Sequence, residues 1–95
     1  MNNDPVTTEQ ILKERGARYG KFKDHADVSQ DLKDVVRDAC EARGKRLAAD
    51  QKEALDMICH KLARIINGDA DYADSWDDIA GYAKLVADRL HGVER

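Results

Sequence analysis

The chain is predicted to be a single all-α domain of about four helices built on a helical hairpin core, and three observations predict it. Its one proline, Pro5, lies ahead of every periodic segment. No alternating run of Val, Ile and Thr occurs that would read as a strand, while Ala, Leu, Lys, Arg, Glu and Asp dominate. At 95 residues the chain makes one domain whose own core is small. A partner subunit is therefore expected, most simply as a homo-oligomer.

Each helix has its own signals. Residues 1–6 read as a flexible tail. Thr7 followed three residues later by Gln10 is a capping box, with Ile11 and Leu12 as the first apolar contacts, so helix one is expected from about Thr8 to about Arg18. Gly16 and Gly20 bracket RGARYGKF and break or loosen the helix. Helix two is expected from near Asp24, carrying Ala26, Leu32, Val35, Val36, Ala39 and Cys40, and ending in the basic stretch Arg43 to Arg46. Asp50 with Glu53 reads as an acidic cap for helix three. Its apolar stripe is Ala54, Leu55, Ile58, Leu62, Ile65 and Ile66, stopped by Asn67 and Gly68. Helix four follows DADYAD, capped by Asp74 or Ser75, and ends near His91 with Gly92 as the stop.

Charge and length exclude several function classes. A formal net charge of −3 with 37% charged residues gives a well-solvated surface without the overall basicity of a nucleic-acid binder. No apolar run approaches the roughly 20 residues of a membrane span, and MNNDPVTTEQ has neither the basic start nor the apolar core of a signal peptide. A cytoplasmic protein is expected. Cys40 and Cys59 fall on or beside apolar faces without metal-ligand spacing, so both are expected to be reduced, buried thiols. DADYAD resembles a calcium loop only superficially. Its sixth position is Asp74 where Gly is needed, and its twelfth is Ala80 where Glu is needed.

Three groups of residues carry candidate chemistry. On helix four, Asp74, Asp77 and Asp78 crowd the first turn, and Asp78 falls between the apolar stripe and solvent, close to Tyr82, Leu85 and Arg89. A half-buried carboxylate there needs a basic residue such as Arg64, a backbone donor or a metal ion. On helix three, Glu53, Asp56, His60 and Arg64 form one polar stripe flanked by Met57, Cys59 and Ala63. This stripe reads as a solvated face with intrahelical ion pairs or, given its small and apolar flanks, as a face covered by another helix or by a second subunit. Acids one turn apart, Glu53 with Asp56 and Asp74 with Asp77, are a pattern that facing helices use to hold Mg²⁺. In an antiparallel hairpin, however, Glu53 and Asp74 lie at opposite ends, and His60, Arg64 and Asp78 are better placed to meet. The third group is the aromatic and basic cluster of Tyr19, Phe22 and His25 among Arg15, Arg18, Lys21 and Lys23. It is either a packed turn with solvated lysines or a contact for phosphate or nucleic acid. Trp76 reads as a core or interface anchor, with stacking on a base as the alternative.

Taken together, RYGKFKDH (18–25), MICHKLARIINGD (57–69) and DSWDDIAGYAKLVADRL (74–90) closely resemble small phage and prophage proteins of uncharacterised function. More distantly, the order of elements resembles nucleotide-modification-associated domains and the MazG-like all-α nucleoside triphosphate pyrophosphohydrolases. Tyr19-Gly20 matches the first motif of the former. Lys61 and Arg64 match the second, with His60 where that pattern has an acid, and Asp78-Ile79-Ala80-Gly81-Tyr82-Ala83 matches the third. The phage resemblance implies an accessory or interaction protein that binds a host or phage macromolecule. The enzyme resemblance implies a Mg²⁺-dependent nucleotide-binding protein or pyrophosphohydrolase. In that reading Asp56, His60 and Asp78 are the metal set, and Arg18, Tyr19, Lys61, Arg64 and Tyr82 meet the nucleotide.

Overall fold

A computed structural model describes residues 5–95 and contains four helices: α1 (Thr8–Tyr19), α2 (Phe22–Ala42), α3 (Ala49–Asn67) and α4 (Ala73–Leu90). Residues 1–4 of the expected tail lie outside the described residues. The capping box of α1 forms as expected: Thr7 Oγ1 accepts from the Gln10 amide at 3.1 Å, and the Thr7 amide donates to Gln10 Oε1 at 2.9 Å. Only Gly20 and Lys21 separate α1 from α2, so α2 starts at Phe22, ahead of the expected Asp24.

Two other caps differ from expectation. At the start of α3 the Gln51 side chain accepts from the Ala48 amide at 2.9 Å, while Asp50 sits inside the first turn and is bound to Arg89. At the start of α4 neither Asp74 nor Ser75 caps the helix. Tyr72 occupies the cap position, its hydroxyl donates to Asp74 Oδ2 at 2.8 Å, and Ser75 is buried against the rest of the domain. Both free cysteines are at least partly covered, Cys59 fully and Cys40 in part. Among the described residues, no helix is long and apolar enough to cross a membrane.

The helices form a layer rather than a closed bundle. α3 packs against α2 on one flank and α4 on the other, while α2 and α4 do not touch. Named contacts fix the two flanks. His60 meets His25 of α2, whereas Lys61 meets Asp78 and Asp50 meets Arg89 on α4. At about 100° per residue His60 points roughly 80–100° away from Asp50 and Lys61, and Asp56, which lines a groove with Lys33, Val36 and Cys40 of α2, points roughly 120–140° away, so α2 and α4 flank α3 and leave two faces between them. On one face α3 presents Leu55, Ile58, Leu62 and Ile66. The antiparallel neighbours turn Val28, Leu32, Val35 and Ala39 (α2) and Trp76, Ala83 and Leu90 (α4) to that same side. α3's other face carries His60 and Arg64, and the α1–α2 elbow covers that end.

Burial follows from this geometry. The only hydrophobic side chains fully buried among the described residues are Ala54, Cys59 and Ala63, all on α3 where its neighbours press closest. Val35, Ile66, Trp76 and Leu90 of the apolar face remain 53–66% exposed. The accessible surface is 7387 Å². A compact monomer of this mass exposes about 5,500 Å². The radius of gyration is 16.4 Å, against roughly 12 Å for a compact domain of this length.

Candidate functional site

The elbow between α1 and α2 docks on the C-terminal end of α3 through backbone contacts that two glycines permit. Gly20 has φ +77°, a region that side-chain-bearing residues rarely adopt, and a Cβ there would lie 2.6 Å from Asn67 Nδ2. A Cβ on Gly68 would run into the Arg18 carbonyl oxygen and the Tyr19 backbone. With both side chains absent, Asn67 Nδ2 donates to the carbonyls of Tyr19 (2.9 Å) and Lys21 (3.1 Å). The Asp69 amide donates to the Arg18 carbonyl at 2.6 Å. The sequence signal was the stop motif Asn67-Gly68, whose further role as a dock for a distant elbow is not visible in one dimension.

Aromatic rings and guanidinium groups complete this joint. Tyr19 meets Tyr72 edge-on with ring centres 6.1 Å apart, and the Arg64 guanidinium lies 4.2 Å from the centre of the Tyr19 ring. Arg18 stands 4.6 Å from the centre of the Tyr72 ring, donates to its hydroxyl and pairs with Glu14. The hydrogen bond to the Asp74 carboxylate raises the pKa of the Tyr72 phenol above its ordinary value. Arg18, Tyr19 and Arg64 are thus brought together, with Tyr72 as a fourth member that sequence reasoning missed because it sits in the acidic DADYAD loop.

Beside the joint, His25 and His60 face each other across the α2–α3 seam. His25 Nε2 and His60 Nδ1 are 3.3 Å apart, and the rings meet edge to face. Only one of these nitrogens carries the bridging proton. Burial, and next the Arg64 charge, lower the pKa of His60 to about 4, with His25, Lys61 and Lys33 acting in the same direction. Burial and Arg64 lower that of His25 as well. Both imidazoles are therefore neutral at pH 7. His25 is 5% exposed, and its Nδ1 is buried without a hydrogen-bond partner, as is the Ser29 hydroxyl one turn along α2. The neighbouring Cys59 thiol is pushed up by burial and then by Asp56, so it stays protonated and unreactive.

The remaining sequence candidates lie elsewhere. Asp78 pairs with Lys61 at 2.9 Å, not with Arg64, and its side chain is 49% exposed, about half buried as expected. The reason is register: Arg89 is taken by Asp50 at the far end of the hairpin, and Arg64 lies on the face covered by the elbow. Tyr82 lines a shallow groove on the outer side of α4 with Asp78, Gly81 and Leu85. Asp56 lines a different groove, against Lys33, Val36 and Cys40 of α2, and His60 lines a third beside the elbow. Among the described residues no group of three or more His, Cys, Asp or Glu side chains is gathered closely enough to hold a metal ion. Asp56, His60 and Asp78 therefore do not fit one Mg²⁺ ion within a single chain.

The fold and this joint define a small all-helical domain: an open three-helix layer with an elbow clamped to its central helix. Over residues 6–90 the chain matches a family described as a domain of unknown function, DUF6378, and it belongs to that family. No curated protein and no solved structure matches it.

Proposed function

We propose that the protein works by association, as an accessory protein whose active form is a homo-oligomer presenting its polar, elbow-bearing face to a host or phage macromolecule. The observation that supports this is the uncovered apolar face shared by α2, α3 and α4. Val35, Ile66, Trp76 and Leu90 project from it, each more than half exposed. A contiguous apolar surface of this kind marks an interaction site. The chain as a whole exposes about 1,900 Å² more than a compact monomer of its mass.

A second copy is the occupant this face suits. Its apolar residues come from all three helices of the layer, so two layers stacked face to face would bury them in one shared core and satisfy closed two-fold symmetry. The resemblance to small phage proteins supports the accessory role, and the polar face remains outside the shared core.

Sedimentation velocity across a concentration series tests the reading. The wild-type chain is expected to sediment as a dimer or larger species at tens of micromolar. Val35→Lys and Leu90→Lys are expected to shift it to monomer, since neither side chain is needed inside the chain. Leu85→Lys, on the opposite side of α4, is expected to leave assembly unchanged. A helical wild-type monomer at that concentration refutes the proposal.

A further inference from the structure

The face of the layer opposite the apolar one carries a cavity of about 590 Å³ between α1, the elbow and α3. Its charge is one-sided. Arg15 comes from α1, Lys21 from the elbow and Arg64 from α3, and no carboxylate lines the cavity although the chain is acidic overall. Elsewhere Arg18, Arg37, Lys61, Lys84, Arg89 and Arg95 sit in ion pairs, whereas among the described residues cations such as Lys33, Arg46 and Lys52 stand free on the surface. Among the described residues Arg15, Lys21 and Arg64 form no ion pair either. Gathering three like charges from three separate elements is unfavourable unless an anion joins them.

The geometry at the cavity wall specifies the anion further. The Arg64 guanidinium carbon stands over the Tyr19 ring, 4.2 Å from its centre, and a guanidinium donates in the forked geometry that matches phosphate. His60 Nδ1 is engaged with His25, so Nε2 is the nitrogen left to meet a ligand. At the mouth, Phe22 is 80% exposed and Leu12 61% exposed, an apolar lip beside a cationic floor. Cavities of this size hold small organic ligands, and a flat ring stacks on an exposed aromatic side chain.

We infer that this cavity binds a phosphorylated small molecule without the help of a metal, its phosphate held by Arg15, Lys21 and Arg64 and its flat organic part seated against Phe22 and Leu12. The inference stands on the polar face and is independent of how the apolar face is covered. It names a ligand class and no reaction. The cavity brings together donors and neutral imidazoles, and no side chain poised as a nucleophile lines it.

Isothermal titration of the full-length protein at low salt, with chelator present, tests this. The probes are inorganic phosphate, ribose 5-phosphate, a nucleoside monophosphate and the matching nucleoside. The nucleoside monophosphate is expected to bind at least tenfold more tightly than inorganic phosphate, and the nucleoside not to bind detectably. Arg15→Gln and Lys21→Gln are each expected to weaken binding severalfold with the circular dichroism spectrum and sedimentation unchanged, because neither side chain takes part in the elbow's docking contacts. Arg64→Ala is expected to abolish binding. Undiminished affinity in both Gln variants overturns the proposal, as does the absence of heat with every phosphorylated probe at millimolar concentration. Inorganic phosphate binding as tightly as the monophosphate overturns the organic part of the assignment, and binding that appears only when Mg²⁺ is restored overturns direct recognition.

Discussion

Replacing Gly68 by alanine tests the elbow with the smallest change that the docking cannot absorb. The added Cβ would lie 2.6 Å from the Tyr19 carbonyl carbon and closer still to the Arg18 carbonyl oxygen and Tyr19 Cα, all of them backbone atoms that no rotamer change can move aside. The elbow must retreat, and three hydrogen bonds reach across that gap: Asp69 amide to Arg18, and Asn67 Nδ2 to Tyr19 and to Lys21. At about 0.5–1.5 kcal/mol net for each, Gly68→Ala should destabilise the elbow by roughly 2–4 kcal/mol. Urea unfolding at fixed protein concentration reads the global part through Trp76, whose indole N–H donates to the Ala70 carbonyl in the adjoining loop. Hydrogen exchange of the α1 amides reads the local part, and their protection should fall. Gly81→Ala is the matched control, since nothing lies within 4 Å of a Cβ there. A helix-interior Gly to Ala change should stabilise by up to about 1 kcal/mol. An unchanged midpoint together with unchanged α1 exchange in Gly68→Ala would refute the docked elbow.

Three further outcomes follow from the same structure. Ser29→Ala removes a buried hydroxyl that has no partner and should raise stability by about 1 kcal/mol in chemical denaturation. A loss of stability there would reveal a partner for Ser29. The Lys61–Asp78 pair is asymmetric, with Lys61 12% and Asp78 49% exposed. Asp78→Ala, which strands the more buried ammonium, should therefore cost about 1–2 kcal/mol, whereas Lys61→Met should be close to neutral; equal effects would contradict the burial. For pH, the His60 pKa falls from 6.5 in the unfolded chain to about 4 in the fold, through burial first and then the charges of Arg64, His25, Lys61 and Lys33, so the unfolded state binds the proton first. Stability should be full above pH 6.5 and decline as pH drops toward 4, with His25 acting in the same sense. His60→Gln should flatten that limb of the stability profile, and an unaltered slope would count against it.

How much of this was legible in the sequence depended on the range of the interaction. Local periodicity and stop signals located all four helices, and the Thr7–Gln10 box formed as read, because caps and amphipathic stripes are settled within a few residues. The partners of charged residues were not legible. Asp78 was expected near Arg64, yet the register of the α3–α4 hairpin gives it Lys61, one residue from the imidazole of His60. The polar stripe on α3 was left open between a solvated and a covered face, and it is both: Glu53 is exposed, while the chain's own elbow covers the His60–Arg64 end. The exposed apolar face went unnoticed. Its residues read as core on each helix taken singly, and only the side-by-side arrangement of the three helices leaves them without a cover.

The elbow also sets an order of events. Contacts of α3 with α2 and with α4 join neighbours in the chain, whereas the elbow closes a loop between Tyr19 and Asn67, 48 residues apart. Long loops cost more entropy to close than local hairpins, so the helical layer should assemble first and α1 should latch onto it last. The latch is also the first part to release, because α1 has no buried residue of its own. The cationic cavity therefore comes and goes with a local opening of α1 while the rest of the layer stays folded. A ligand that fills the cavity would act as the bolt, slowing amide exchange in α1 without altering it in α4.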